Sequence, residues 1–382
     1  MADPALAWIA LGLVRPPDGE RYRAIRARHG SPAPLLADDG EDPDLLPPDT
    51  RSAARAALPR ARREAEGIHA LGAHTIAFGD PRYPQGLGEI FDPPAWLAVG
   101  GDLGDPEAPA VAIVGSREAS LVGERRAREW AAWLARRGVR IVSGLARGID
   151  SAAHRGALDA DGHTVAVLGC GLDDALARRA VSSSLGSALA ARGTSGVMRD
   201  ILAAGGALVS DFPLGTRPAT WTFPRRNRLI SAFARGVLVI QAATRSGSLI
   251  TARCAGDQGR DVWAVPGAPE DSRARGANAL IRQGARLVED PAEVLEDLLP
   301  AAVPGTHDST PGKDASRPSA QAAAGLSDEE RDLLVGVSRG ALDLDTLAAR
   351  AGLSAARAGA LLARLEVAGC VRRLDGMRFE RA

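Results

Sequence analysis

Phe223-Pro224-Arg225-Arg226-Asn227-Arg228 sets an aromatic ring and a rigid turn beside three guanidinium groups. A flat ring can stack on a nucleobase while guanidinium groups hold phosphate oxygens in pairs, so these residue types suit a single-stranded nucleic acid. The flanking sequence carries the same sign. Between Asp211 and Asp257 there is no acidic residue, and the stretch holds Arg217, Arg225, Arg226, Arg228, Arg235, Arg245 and Arg253. Basic and acidic residues number 47 each in the whole chain, so this segregation, rather than net charge, points to an anionic partner. The same residues could instead form a surface helix with solvated arginines and Phe223 in the core.

Gly115-Ser116-Arg117 joins an apolar run to an amphipathic one. It lacks the full Gly-x-Gly-x-x-Gly pattern of dinucleotide-binding turns. A small-residue turn between strand and helix still offers backbone N–H groups to an anion, and Arg117 adds charge; a plain structural turn is the alternative. Arg245-Ser246-Gly247-Ser248 repeats the logic before a helical stretch at Leu249 to Cys254. Asp150 and His154, four residues apart, could act as an acid/base or metal pair. The simpler expectation is that Asp150 caps a helix and His154 packs beside it. No nucleophile triad, Walker loop or paired-carboxylate motif is evident, so neither catalysis nor a metal or cofactor is expected.

These residues need elements to position them, and the sequence between 110 and 265 supplies a repeated pattern of short apolar run, glycine turn and amphipathic segment. The runs are Val111 to Val114, Val139 to Val142, Thr164 to Leu168, Ala207 to Ser210, Val237 to Ile240 and Val262 to Val265. Such alternation predicts an α/β fold, a doubly wound parallel sheet covered on both faces, whose ligands collect at the carboxyl ends of the strands. The turns at 115–117 and 143–144, residues 223–228 and residues 245–248 would then share one rim. Residues 1–65 read as a small helical domain and 66–299 as the α/β domain. Residues 300–325, rich in Pro, Gly, Ser and Thr, read as a flexible linker. Residues 326–382, with helices expected at 328–337, 344–351 and 355–368 and a hairpin over 371–379 around Asp375-Gly376, read as a winged helix. Arg357 and Arg364 lie on its would-be recognition helix, yet from Leu326 onward nine arginines face nine acidic residues. That neutrality favours an auxiliary or protein-interaction role over duplex reading.

Lys313 is the sole lysine, so nearly every basic contact can be bidentate. Cys170, Cys254 and Cys370 are far apart and without CxxC spacing, which fits a reducing cytoplasm and supports neither disulfides nor zinc. The first apolar run, Ala5 to Val14, is short and follows Asp3, so neither a signal peptide nor a membrane span is expected.

In order, VAIVGSREAS, SGLARGIDSAAHRGAL, TVAVLGCGLD, FPRRNRLISAFARGVLVI, RSGSLITARCAGDQGRDVWAVPG and GANALIRQGA closely resemble the DNA-processing protein A (DprA/Smf) family from about Asp80 to Leu298. The resemblance implies an extended Rossmann-like domain that binds single-stranded DNA, forms a homodimer, and loads the RecA recombinase onto strands covered by single-strand binding protein. In competent bacteria it implies a role in DNA-mediated transformation. By position, Gly115, Ser116 and Arg117 would cradle phosphate and Phe223 would meet a base. Arg226 and Arg228 would clamp the backbone beside Arg225 and Asn227, and Arg245, Ser246, Gly247 and Ser248 would complete the rim. Turnover is not implied. The chain departs from the family pattern at Asp174-Ala175-Leu176, in the long stretch to Gly206, at Gln241 in place of a usual glutamate, and at Thr220 before the aromatic. A nucleotide-binding or nucleotide-hydrolysing Rossmann-like enzyme is the alternative, although Pro266-Gly267-Ala268 lacks the expected Pro-Gly-Gly-x-Gly-Thr loop. A winged-helix transcription regulator is a third reading.

Overall fold

Val111 and Ile113 point to one core and Ala112 and Val114 to another, because successive residues of a strand face opposite sides. A strand apolar on both faces must be covered on both, and this one lies in the interior of a nine-stranded sheet. The computed structural model describes residues 3–14, 18–37, 42–176, 194–298, 333, 342–367, 371–374 and 378–381.

The sheet strands are β1 (His74–Ala77), β2 (Trp96–Gly101), β3 (Ala110–Val114), β4 (Arg140–Ser143), β5 (Thr164–Val167), β6 (Ala207–Ser210), β7 (Gly236–Val239), β8 (Asp261–Ala264) and β9 (Arg286–Leu287). Their spatial order is β1-β2-β6-β5-β4-β3-β7-β8-β9. From β6 to β9 all pairs are parallel, and β2 joins β6 and β1 antiparallel. The expected doubly wound α/β fold is therefore present, and all six anticipated strand runs form strands. Three strands lie outside those six runs: β1, β2 and β9. β2 lies before the first repeat, where Pro93-Pro94 reads as a break, and β9 has only two residues and is exposed.

The helices are α1 (Pro4–Leu13), α2 (Gly19–His29), α3 (Pro48–Ala70), α4 (Gln85–Glu89), α5 (Leu121–Ala135), α6 (Ile149–Asp159), α7 (Thr194–Ala203), α8 (Thr222–Ala232), α9 (Ser248–Asp257), α10 (Arg275–Arg282) and α11 (Pro291–Leu298). Helices α5, α6 and α11 cover one face, with Trp130, Leu134, Ile149, Ala153 and Leu298 in its core. The other core joins α1, α2 and α3 to α7, α8 and the sheet, so the N-terminal helices share their apolar residues with the strands. The 65/66 boundary expected from sequence falls inside α3, and the described residues up to Leu298 form one compact unit.

The second unit contains β10 (Leu342–Asp343), α12 (Leu344–Ala351), α13 (Ala355–Val367), β11 (Val371–Leu374) and β12 (Arg378–Arg381). Its strands pair antiparallel in the order β10-β12-β11, and Leu347, Leu361, Leu365, Val371 and Phe379 close its core. This is the expected winged helix. The helix anticipated at 328–337, apart from Leu333, lies outside the described residues, as do the 300–325 linker and Asp375-Gly376. Among the described residues no helix is long and apolar enough to cross a membrane.

Candidate nucleic-acid interface

Strand order reverses at β3, which has β4 on one side and β7 on the other. The connections leaving β3 and β7 therefore diverge to opposite faces and open a crevice between them, the usual ligand position of such sheets. A cavity of about 550 Å³ lies there. Gly115, Ser116 and Arg117 after β3, Phe223, Arg226 and Asn227 on α8, and Arg245, Ser246, Gly247 and Ser248 after β7 all line it. Three segments, the first more than a hundred residues before the other two, are brought together at the strand ends.

The two rim cations are exposed. Arg117 places its guanidinium carbon 4.9 Å from the centroid of the half-buried Phe223 ring, a cation–π contact that leaves the charge in solvent. Phe223 rests on Gly169, where a Cβ would come within 2.9 Å of Cδ1, so the ring lies directly on the end of the β5 connection. Arg245 opens the opposite lip, followed by Ser246 and Ser248, whose hydroxyls are 2.7 Å apart at the start of α9. An anion between these lips meets two guanidinium groups, paired hydroxyls and the first turn of a helix.

Three other arginines of the acid-free stretch, Arg226, Arg228 and Arg235, are engaged by the fold itself. Arg226 is only 4% exposed and donates to the carbonyls of Gly144, at 2.7 Å, and Val167. Burial pulls its pKa down to about 10, a shift opposed by the nearby Asp150 carboxylate. Asn227 donates to the Gly247 carbonyl at 3.3 Å and accepts from Arg226, so it ties α8 to the 245–248 loop. Arg228 turns away, pairing with Asp211 at 2.7 Å and Asp92 at 3.1 Å beside a second cavity lined by Glu89, Phe91 and Asp257. The backbone-clamping geometry expected of Arg226 and Arg228 is thus replaced by a buried strut and an internal ion pair. Arg235 donates to the Leu298 carbonyl. Arg225 is exposed, with its guanidinium carbon 5.4 Å from the Phe212 centroid, and lies outside the cavity lining.

Asp150 does not cap its helix. Gly148 is the N-cap, and Asp150 sits buried in the first turn, accepting from the Ala146 N–H at 3.3 Å. Burial raises its carboxyl pKa, against the pull of Arg226. His154 pairs with Thr164 Oγ1 at 2.7 Å. Among the described residues no cluster of His, Cys, Asp and Glu is arranged to hold a metal. Gln241, a departure noted in the sequence, accepts from the Ser120 N–H at 2.9 Å and approaches Asp271 Oδ2 at 3.3 Å through Nε2. A glutamate there could not donate to Asp271.

Gly148 holds the two glycine-rich connections together. Its φ of +78° belongs to glycine, and a Cβ would lie 2.3 Å from the Ser116 carbonyl oxygen. Gly148→Ala is expected to cost about 1–3 kcal/mol and to lower the melting temperature by roughly 2–6 °C. Gly247→Ala, with φ of −61° and nothing within 4 Å of the added carbon, is the control expected to melt like the wild type.

The model of the family described as DNA recombination-mediator protein A matches residues 74–299. The chain belongs to this family. A second model, the DprA winged helix domain, matches residues 317–377. Protein Smf of Escherichia coli K12 is 41% identical over 317 residues, which cover 81% of this chain and 78% of that protein. The putative DNA processing protein DprA of Mycobacterium tuberculosis H37Rv is 37% identical over 396 residues, covering 98% and 94%. The X-ray structure of DNA processing protein A from Streptococcus pneumoniae superposes with a TM-score of 0.59 at 29% identity, covering 78% of this chain and 98% of that one. The matched region of this DNA recombination-mediator family includes all three cavity segments.

Trp221 is a residue that sequence reasoning passed over. It precedes α8 and is exposed, although its aromatic type within an arginine-rich stretch was a usable signal.

Proposed function

We propose that the chain binds single-stranded DNA across the switch-point cavity, without turnover, and acts as a recombination mediator that loads RecA onto the bound strand. The observation that carries this is the pairing of Arg117 with the Phe223 ring at the mouth of a cavity whose opposite lip is Arg245. A ring backed by a cation offers a base a stacking surface and its phosphate a partner in one place. Arg117, Arg217, Arg225 and Arg245 make no ion pair with another described residue, so their charge is available to phosphates. The family's DNA recombination-mediator description supports the mediator role. Incoming DNA in transformation, a homodimeric assembly and single-strand binding protein as a competitor on the same strand belong to this reading.

Anisotropy of labelled oligo-dT against a salt series tests it. With about four phosphates neutralised, affinity should fall on the order of 50-fold between 50 and 200 mM salt. Phe223→Ala should weaken binding roughly 5- to 100-fold, and duplex DNA should compete poorly. Affinity independent of salt would sink the reading. RecA filament formation on strands precoated with single-strand binding protein, with and without this protein, tests the mediator step.

A further inference from the structure

Among the described residues the exposed aromatic rings are Phe91 and Trp221. Their surroundings differ. Phe91 lies between Glu89 and Asp92 beside a cavity whose Arg228, Arg235 and Arg260 are offset by Glu89, Asp92 and Asp257 and are already engaged with Asp92, the Leu298 carbonyl and Glu89, which leaves little free positive charge for a polyanion. Trp221 is 58% exposed and stands in the acid-free stretch, with exposed Arg217 before it and exposed Arg225 after it. Large apolar rings left in water forgo the free energy of burial, so an exposed indole among unpaired cations fits an occupant that is both flat and anionic.

The ring is held on a firm base. Trp221 meets Phe212 with centroids 5.8 Å apart and planes at 73°, an edge-to-face contact that leaves more than half of the indole open. Phe212 is buried, lies two residues beyond the end of β6, and donates its backbone N–H to Ser210 Oγ at 3.0 Å. Arg225 shares the same support, since its guanidinium packs on the Phe212 ring one helical turn along from Trp221. Trp221 is also continuous with the cavity, because its neighbours Thr220 and Phe223 both line it.

We propose that Trp221 is a second base-stacking platform, which together with Arg225 carries a single strand outward from the cavity beyond Phe223. This rests on the cavity being a single-strand site. The occupant is a nucleobase with its phosphate on Arg225; a protein partner on the same ring is the competing case that the experiment separates.

The experiment is a cycle between protein and DNA. Wild type, Trp221→Ala and Trp221→Phe are titrated at low salt with a labelled oligo-dT and with an abasic strand of equal length, with Phe223→Ala as reference. Trp221→Ala should weaken oligo-dT binding roughly 5- to 100-fold, Trp221→Phe should recover most of it, and the abasic strand should bind wild type and Trp221→Ala alike. An equal loss on both strands means that Trp221 only supports the loop and overturns the platform. Unchanged oligo-dT affinity in Trp221→Ala, with Phe223→Ala still impaired, overturns the platform and leaves the cavity reading intact. Wild type that binds neither strand overturns both.

Discussion

Arg226→Ala is expected to unfold at a much lower urea concentration than the wild type, with about 3–5 kcal/mol of stability lost. The guanidinium is enclosed at the carboxyl ends of two central strands, where it bonds the Gly144 carbonyl after β4 and the Val167 carbonyl of β5. Removing it orphans both acceptors and takes away the cation nearest the buried Asp150 carboxylate. Each of those losses is the expensive kind, since the remaining partner cannot reach water. DNA binding should fall in parallel, because Arg226 fixes the helix that carries Phe223 and Asn227. Arg245→Ala is the contrast: an exposed residue without an ion pair to another described residue, it should lose affinity while its unfolding free energy stays within about 0.5 kcal/mol of wild type. Equilibrium urea unfolding followed by tryptophan fluorescence at pH 7 separates the two. A wild-type midpoint for Arg226→Ala would show that the strut is dispensable.

Acid should destabilise the protein through His154. The imidazole is completely buried, and burial, reinforced by Arg226, depresses its pKa from 6.5 to about 3. Thr164 donates its hydroxyl to the Ile141 carbonyl at 2.8 Å, so the 2.7 Å contact with His154 is an Nδ1–H donation, and the depressed pKa keeps the ring neutral at pH 7. With the folded pKa below the unfolded one, the stabilising contribution is complete above pH 6.5 and is lost as pH falls toward 3. The linkage amounts to about 2 kcal/mol between pH 7 and 5 and on the order of 4 kcal/mol by pH 3. His74 and His163, both depressed by partial burial, act in the same direction. Asp150, whose pKa is raised, acts in the opposite one, because its burial cost is relieved on protonation. Comparing wild type with His154→Gln, which keeps a donor for Thr164 but does not titrate, isolates the histidine. The difference in urea stability between the two should shrink or reverse as pH drops from 7 to 5; parallel pH profiles would refute the assignment.

Local pattern determined much of this protein. The apolar runs that became β3 to β8 needed no tertiary information, because strands buried on both faces must be apolar throughout and must end in turns. Strand ends in a doubly wound sheet share one edge, so the meeting of Gly115-Ser116-Arg117 with Phe223 and Arg245 to Ser248 also followed from the sequence. The ordered motifs from Asp80 onward indicated the family before any coordinates, and the winged helix was readable from helix spacing and the Asp-Gly turn.

Electrostatic partnership was decided only by the tertiary structure. The acid-free interval between Asp211 and Asp257 suggested uncompensated arginines, yet Arg228 is neutralised by Asp211 and Asp92, and Arg226 is buried beside Asp150. Those carboxylates come from other elements, and a charge a hundred residues away in sequence can be 3 Å away in space. Burial followed the same rule. Arg225 and Arg226 are neighbours of identical chemistry, and helical geometry sends one into solvent and the other under the sheet edge. Exposure of Trp221 and burial of Phe212 likewise depend on which ring the end of β6 covers. Sequence period and turn chemistry act over a few residues, whereas pairing and desolvation act through space, so the fold and the cavity's position were readable from the chain and the division between rim cations and buried struts was not.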